Sequence, residues 1–200
     1  LDKLNALLEN QKLPDSDKPR VCEALDRYES WQEELNTIQA TSNEPIEIFR
    51  QLVDSLNTYK LYIDLNFIFD SKNDFLYRQK GQLKLDNTII EEFLPRIVHP
   101  SVLPEIADFE LTVGPTNTFS AVYFSSSLDA PQKGGGLGIR TKDQDFAIAK
   151  KLYLKASHNS DFSDFVEQST HIAYIVAECK TNLDKTMFQE ACATASDVRR

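Results

Sequence analysis

The sequence predicts an α/β protein in which a largely helical N-terminal region, residues 1–85, precedes a sheet-bearing core, residues 86–200. Three observations carry this. Apolar residues recur at helical spacing through most of the first hundred positions. After Pro104, short runs rich in β-branched and aromatic residues replace them. Four of the six glycines then gather in Gly134-Gly135-Gly136-Leu137-Gly138. At 200 residues, 41% apolar and 26% charged, the chain has material for one ordinary domain with a helical appendage. Those values exclude wholesale disorder and a disulfide-built miniprotein. No stretch approaches the roughly 18 uncharged apolar residues that a membrane span requires, so no membrane partner is expected. Cys22, Cys179 and Cys192 form no C-x-x-C pair, and a reducing, cytosolic compartment is the default.

The elements follow in order. Leu1, Leu4, Leu7 and Leu8 have helix spacing, and Leu13-Pro14-Asp15-Ser16-Asp17-Lys18-Pro19 is a breaker-rich loop. A second helix runs from about Val21 to Ile38, with Leu25, Tyr28, Trp31, Leu35 and Ile38 on one stripe. A third starts near Glu44-Pro45, with proline in the first turn, and carries Phe49, Leu52, Val53 and Leu56. The run Leu61 to Phe69 reads equally as strand or buried helix. Residues 86–98 are helical from an Asp86/Asn87 cap. Phe109 to Val113 and Phe119 to Phe124 flank Gly114-Pro115-Thr116-Asn117, which predicts a β-hairpin. Asp145 to Ala149, Lys151 to Lys155 and His171 to Ala177 read as strands. A last helix runs from Asp184 to Val198, capped by Asp184 or Thr186, with Met187, Phe188, Ala191, Cys192 and Ala195 inward. The chain opens at Leu1 rather than Met and stops inside this helical pattern. A piece of a longer polypeptide is therefore expected, with the missing part mostly C-terminal.

Charge is uneven. The net charge is −9, yet residues 131–155 hold Lys133, Arg140, Lys142, Lys150, Lys151 and Lys155 against only Asp143 and Asp145. The net charge argues against indiscriminate polyanion binding but leaves room for local contact with phosphates.

Chemistry concentrates where the last apolar run ends, at Ala177-Glu178-Cys179-Lys180. Alternation along a strand puts Glu178 and Lys180 on one face and Cys179 on the other. Glu178 suits a hard divalent cation, and Lys180 suits a water or a phosphate beside it. A lone Glu-x-Lys triplet is more often a solvated strand end. Metal-assisted hydrolysis needs a second acid from a neighbouring strand, and Asp145 stands at a strand start just after the glycine loop. Asp143 reads better as a turn residue. Asp70-Ser71-Lys72 also follows an apolar run, but it sits in a dense polar cluster and reads as a turn.

Asp145, a strand, and Glu178-Cys179-Lys180 closing a second strand resemble the PD-(D/E)XK nuclease superfamily. The run from Ala177 to Ala191, together with Lys142 to Ile148, more narrowly resembles a BbvCI/DdeI-related group of type II restriction endonucleases, which cuts CCTNAGC-type sites. The resemblance covers roughly residues 90–200. It implies a nuclease core built on a mixed central sheet flanked by helices, acting on double-stranded DNA in a bacterial cytoplasm. It implies Mg²⁺ on Asp145 and Glu178, Lys180 assisting the attacking water, and a second subunit, identical or homologous, for the other strand. Thirty-two residues separate Asp145 from Glu178, longer than the superfamily usually has, so an extra hairpin or loop is expected between them.

Other residues keep two readings each. Gln189 faces the site or completes a capping box with Thr186. Glu92 or Glu91 supplies an accessory acid or lies on a solvated face. Lys133, Arg140, Lys142 and Lys185 contact DNA or water, and the glycine loop closes over a DNA backbone or is a plain linker. Two rivals to a restriction enzyme stand beside this reading: a non-catalytic DNA-binding scaffold with a relic nuclease core, and a repair or junction-resolving nuclease of the same superfamily.

Overall fold

The computed structural model describes residues 2–70, 74–180 and 184–199. These form two compact units, Leu1–Asp108 and Phe109–Arg200. The division falls later than the expected 85/86, because the helix after residue 85 buries Ile89 and Phe93 in the helical core.

The first unit is helical: α1 Asp2–Leu8, α2 Lys18–Gln39, α3 Pro45–Leu61, a π-helical continuation Tyr62–Phe69, α4 Phe75–Leu83 and α5 Leu85–Ile97. Leu4, Leu7, Val21, Leu35, Leu52, Ile63 and Phe67 are its buried centre. Trp31 stacks on Tyr59 with ring centroids 4.4 Å apart. The ambiguous run from Leu61 to Phe69 is thus helical, and Ile63, Phe67 and Ile68 recur inward at the wider spacing of a π turn. Helix α5 starts at Leu85 after Lys84 in the left-handed region, so Asp86 and Asn87 lie in its first turn rather than at its cap. Of the Asp70-Ser71-Lys72 cluster, Ser71 and Lys72 lie outside the described residues.

The second unit holds β1 Thr112–Phe124, β2 Leu137–Ser157, β3 Phe165–Ala177 and α6 Lys185–Arg199. Strand β2 is central and pairs antiparallel with both neighbours, β1 and β3. The outer strands meet at one parallel bridge, Thr118 to His171, and the sheet closes on itself. The expected mixed sheet is therefore an antiparallel meander with a single parallel contact. The expected hairpin over 109–124 is one strand instead, because Gly114-Pro115 forms an irregularity within β1 rather than a turn. The two strands read at 145–149 and 151–155 belong to one 21-residue strand, which begins inside the glycine run. The extra hairpin expected between Asp145 and Glu178 is the β2–β3 connection itself.

The glycine loop is packed. Gly134, Gly135 and Gly136 all have positive φ, and a Cβ on Gly134 would lie 2.6 Å from the Ala156 carbonyl oxygen. The Gly135 N–H donates to His158 Nε2 at 3.2 Å, and Lys133 forms an ion pair with Asp164. This loop clasps the β2–β3 turn, which accounts for its glycines without a linker role.

Helix α6 is capped by Asp184, whose Oδ1 accepts from the Met187 N–H at 2.8 Å. Its apolar stripe does not face inward as expected: Met187, Phe188, Cys192 and Ala195 are exposed. Among its described side chains the half-buried ones are Ala191, Thr194 and Asp197, and Asp197 ties the helix to Lys142 of β2 by an ion pair.

Candidate active site

Strand register brings the acids together. Phe146 pairs with Ala177, so the next position sets Asp145 across from Glu178. Directly opposed residues of an antiparallel pair put their side chains on the same face. The other face carries Gln144 and Cys179, both buried. Cys179 is thus turned away from the acids, as alternation predicts.

Asp145 sits at an irregularity of β2, where the register against β1 shifts between Gly114 and Thr116. Its Oδ2 accepts the backbone N–H of Cys179 at 2.8 Å. A side chain therefore takes the place of a ladder acceptor just beyond the last residue of β3, and it fixes the 178–180 segment against β2. Lys180 Nζ lies 3.1 Å from Glu178 Oε2 and 3.7 Å from Asp145 Oδ2. The three side chains are 22–29% exposed, open to solvent without being freely solvated. Partial burial pulls the Lys180 ammonium down in pKa. The Glu178 hydrogen bond and the two carboxylate charges outweigh it, and the net shift is upward. Lys180 is therefore a cation throughout the neutral range.

Two hard oxygen donors on one face match the protein share of a Mg²⁺ site, since that ion keeps several waters and takes its remaining ligands from phosphate. Among the described residues no group of three or more His, Cys, Asp and Glu is gathered, so nothing here resembles a closed zinc cage.

The other candidates scatter. Gln189 and Lys185 are exposed on α6, and Asp184 rather than Thr186 is the cap, which removes the capping-box reading of Gln189. Lys142 Nζ pairs with Asp197 Oδ2 at 3.1 Å, so its charge is partly spoken for. Lys133 is engaged by Asp164. Arg140 is exposed and has no ion pair among the described residues. Glu92 belongs to the helical unit, where its Oε2 accepts the Tyr28 hydroxyl at 2.6 Å. Sequence reading missed Asp197 as the partner of Lys142, a contact set by how α6 packs. It also missed Pro115 as a neighbour of Asp145, although a proline inside a strand run is itself a bulge signal.

The sheet-bearing half of this chain is that of a restriction endonuclease: the profile of the Bpu10I restriction endonuclease family matches residues 82–200, the whole acid–lysine cluster included. No curated protein matches the chain. The chain belongs to the Bpu10I restriction endonuclease family. DNA is its partner on that ground, and among the described residues no helix is long and apolar enough to cross a membrane.

Proposed function

We propose that this restriction endonuclease cuts double-stranded DNA at specific sites by Mg²⁺-assisted hydrolysis, on a core of the PD-(D/E)XK type. The observation that carries the reading is the meeting of Asp145, Glu178 and Lys180 on one face of β2 and β3. Asp145 and Glu178 would hold the ion, which when bound supplies charge to the scissile phosphate and acidifies a water. The chain's own groups do the rest. The Cys179 N–H orients the Asp145 carboxylate, and Lys180 offers its ammonium to the attacking water and to the charge that builds on phosphorus. Water adds to phosphorus as it gives up a proton to solvent, the bond to the leaving oxygen breaks, and that oxygen takes a proton from solvent. Arg140, an exposed cation of the basic window without an ion pair among the described residues, would meet a phosphate. Cutting both strands calls for two such sites, supplied by a second subunit.

The CCTNAGC-type target and the kinship with the BbvCI/DdeI-related group belong to the same reading. Their support is the run from Ala177 to Ala191, which lies wholly within the family match. One experiment tests all of it. Purified protein is incubated with unmethylated DNA carrying a CCTNAGC site, and with DNA in which the site is scrambled, in Mg²⁺ and in chelator. The reading expects cutting only at the intact site and only with Mg²⁺. Binding without cutting in any divalent metal would favour the relic scaffold, and structure-dependent nicking of both DNAs a repair nuclease.

A further inference from the structure

Pro115 stands where the ladder between β1 and β2 changes register. Gly114 faces Ala147 and Thr116 faces Gln144, so Pro115 alone faces two residues, Asp145 and Phe146. Two residues opposing one make a β-bulge, a device that bends its strand and re-aims a side chain. Proline has no N–H and holds φ near −65°, so Pro115 can donate no ladder bond to either facing residue, while its carbonyl can still accept one. The preceding residue, Gly114, has φ 125°, a value that residues with side chains rarely adopt. Toward β3 the ladder ends at Phe146, is regular from there to Ile148, and has its own register shift between Ile148 and Ala149, away from Asp145. The register shift that faces Asp145 and Phe146 is the one on the β1 side, at Gly114-Pro115.

We propose that Pro115 is a positioning residue. By withholding a donor opposite Asp145 and Phe146, it maintains the bulge that sets the Asp145 carboxylate on the face of Glu178 and Lys180, an inference that rests on Asp145 being a metal ligand. The physical reason is periodicity. A slip of one residue along a strand sends a side chain to the opposite face, and for Asp145 that is the buried face of Gln144 and Cys179. An N–H at position 115 offers β2 the bond that regular pairing would need.

The test compares full-length Pro115→Ala and Asp145→Asn with the native chain. Ca²⁺ affinity is measured by calorimetry, single-turnover and steady-state cleavage are followed in Mg²⁺, and each protein is melted in chelator. For Pro115→Ala we expect Ca²⁺ affinity and kcat to fall about 10–100-fold, the range for groups that orient a metal ligand, with KM for DNA unchanged. Its melting temperature should stay within about 4 °C of native, because a regained ladder bond offsets the added freedom of the unfolded chain. Native-like affinity and rate in Pro115→Ala beside a dead Asp145→Asn would overturn the role of Pro115 and leave Asp145 in the site. A loss of rate without a loss of Ca²⁺ affinity would overturn it too, as would general unfolding of Pro115→Ala, since Pro115 would then be structural only. A fully active, Ca²⁺-binding Asp145→Asn would overturn both the inference and the reading beneath it.

Discussion

Replacing Asp145 by alanine and by asparagine separates two jobs that one carboxylate performs. Its Oδ2 accepts the Cys179 N–H at 2.8 Å, and the same oxygen lies 3.7 Å from Lys180 Nζ. Alanine leaves a part-buried backbone donor without its acceptor, at a cost of about 1–3 kcal/mol. For a chain of this size 1 kcal/mol moves the melting temperature by about 2–4 °C, so Asp145→Ala should melt roughly 2–12 °C below native in chelator. Asparagine keeps an oxygen acceptor and should lose little. Metal binding divides the proteins differently. At a hundred times its Kd, a ligand stabilises the native chain by about 2.7 kcal/mol, and neither variant should gain this from Mg²⁺. The assay is thermal melting with and without Mg²⁺, followed by far-ultraviolet dichroism. Trp31, the only tryptophan, sits in the helical unit and its fluorescence would report on the wrong half. An asparagine variant that gains as much from Mg²⁺ as the native chain would remove Asp145 from the metal site. An alanine variant that melts with the native chain in chelator would refute the role given to the Cys179 bond.

Lys180→Ala should keep or tighten metal binding, because it removes a cation from between two carboxylates, while the single-turnover rate falls about 10²–10³-fold; equal loss of both would make Lys180 a structural tie. Arg140→Glu should weaken DNA binding and flatten the salt dependence by about 0.9 in log–log slope for each phosphate no longer neutralised, whereas Lys142→Glu should cost folding stability as well, since Asp197 loses its partner. Identical salt slopes for native and Arg140→Glu would take that side chain off the DNA. In the helical unit, burial first, and for Tyr28 the Glu92 bond next, raise the pKa values of Tyr28, Tyr59 and Tyr62 above their ordinary 10.0. A raised folded-state pKa gives stability that is complete below pH about 10 and is lost as pH climbs beyond it. Denaturant melts read by Trp31 fluorescence from pH 8 to 11 should therefore weaken at the alkaline end and less so in Tyr28→Phe, and a flat profile would contradict the assignment.

The helices were legible because their apolar stripes bury one face. Leu25, Tyr28, Trp31 and Leu35 need only their own spacing to be read, and Leu35 and Trp31 are buried where that spacing puts them. Glu178 and Lys180 were legible for a similar reason, since alternation past a strand end depends on local geometry alone. Asp145, read as a strand start, lies inside β2, and only pairing with β3 brings it to them. What failed depended on partners. Gly114-Pro115 has the composition of a turn, and only pairing with β2 makes it part of a strand. Lys150 and Lys151 look like a break between strands, yet both are exposed where the long β2 has water beside it. The apolar residues of α6 promised a buried face, but Met187, Phe188 and Cys192 are exposed while Ala191, Thr194 and Asp197 are half-buried. Lys142 read as a free cation until α6 brought Asp197 within 3.1 Å.

The order of strands in the second unit has a consequence for how its chemistry comes into being. Both partners of β2 are its neighbours in sequence, so each ladder can zip outward from a short connection with little loop-closure entropy. In the β2–β3 hairpin the rung nearest the turn is Ser157 with Phe165, and the rung farthest from it is Phe146 with Ala177. Asp145 and Glu178 lie one step beyond that farthest rung. During zipping from the turn they are the last residues to meet, and their mutual repulsion is not felt until the other rungs are in place to oppose it. Fraying runs the same path in reverse, so the two carboxylates part before any other rung of the hairpin opens.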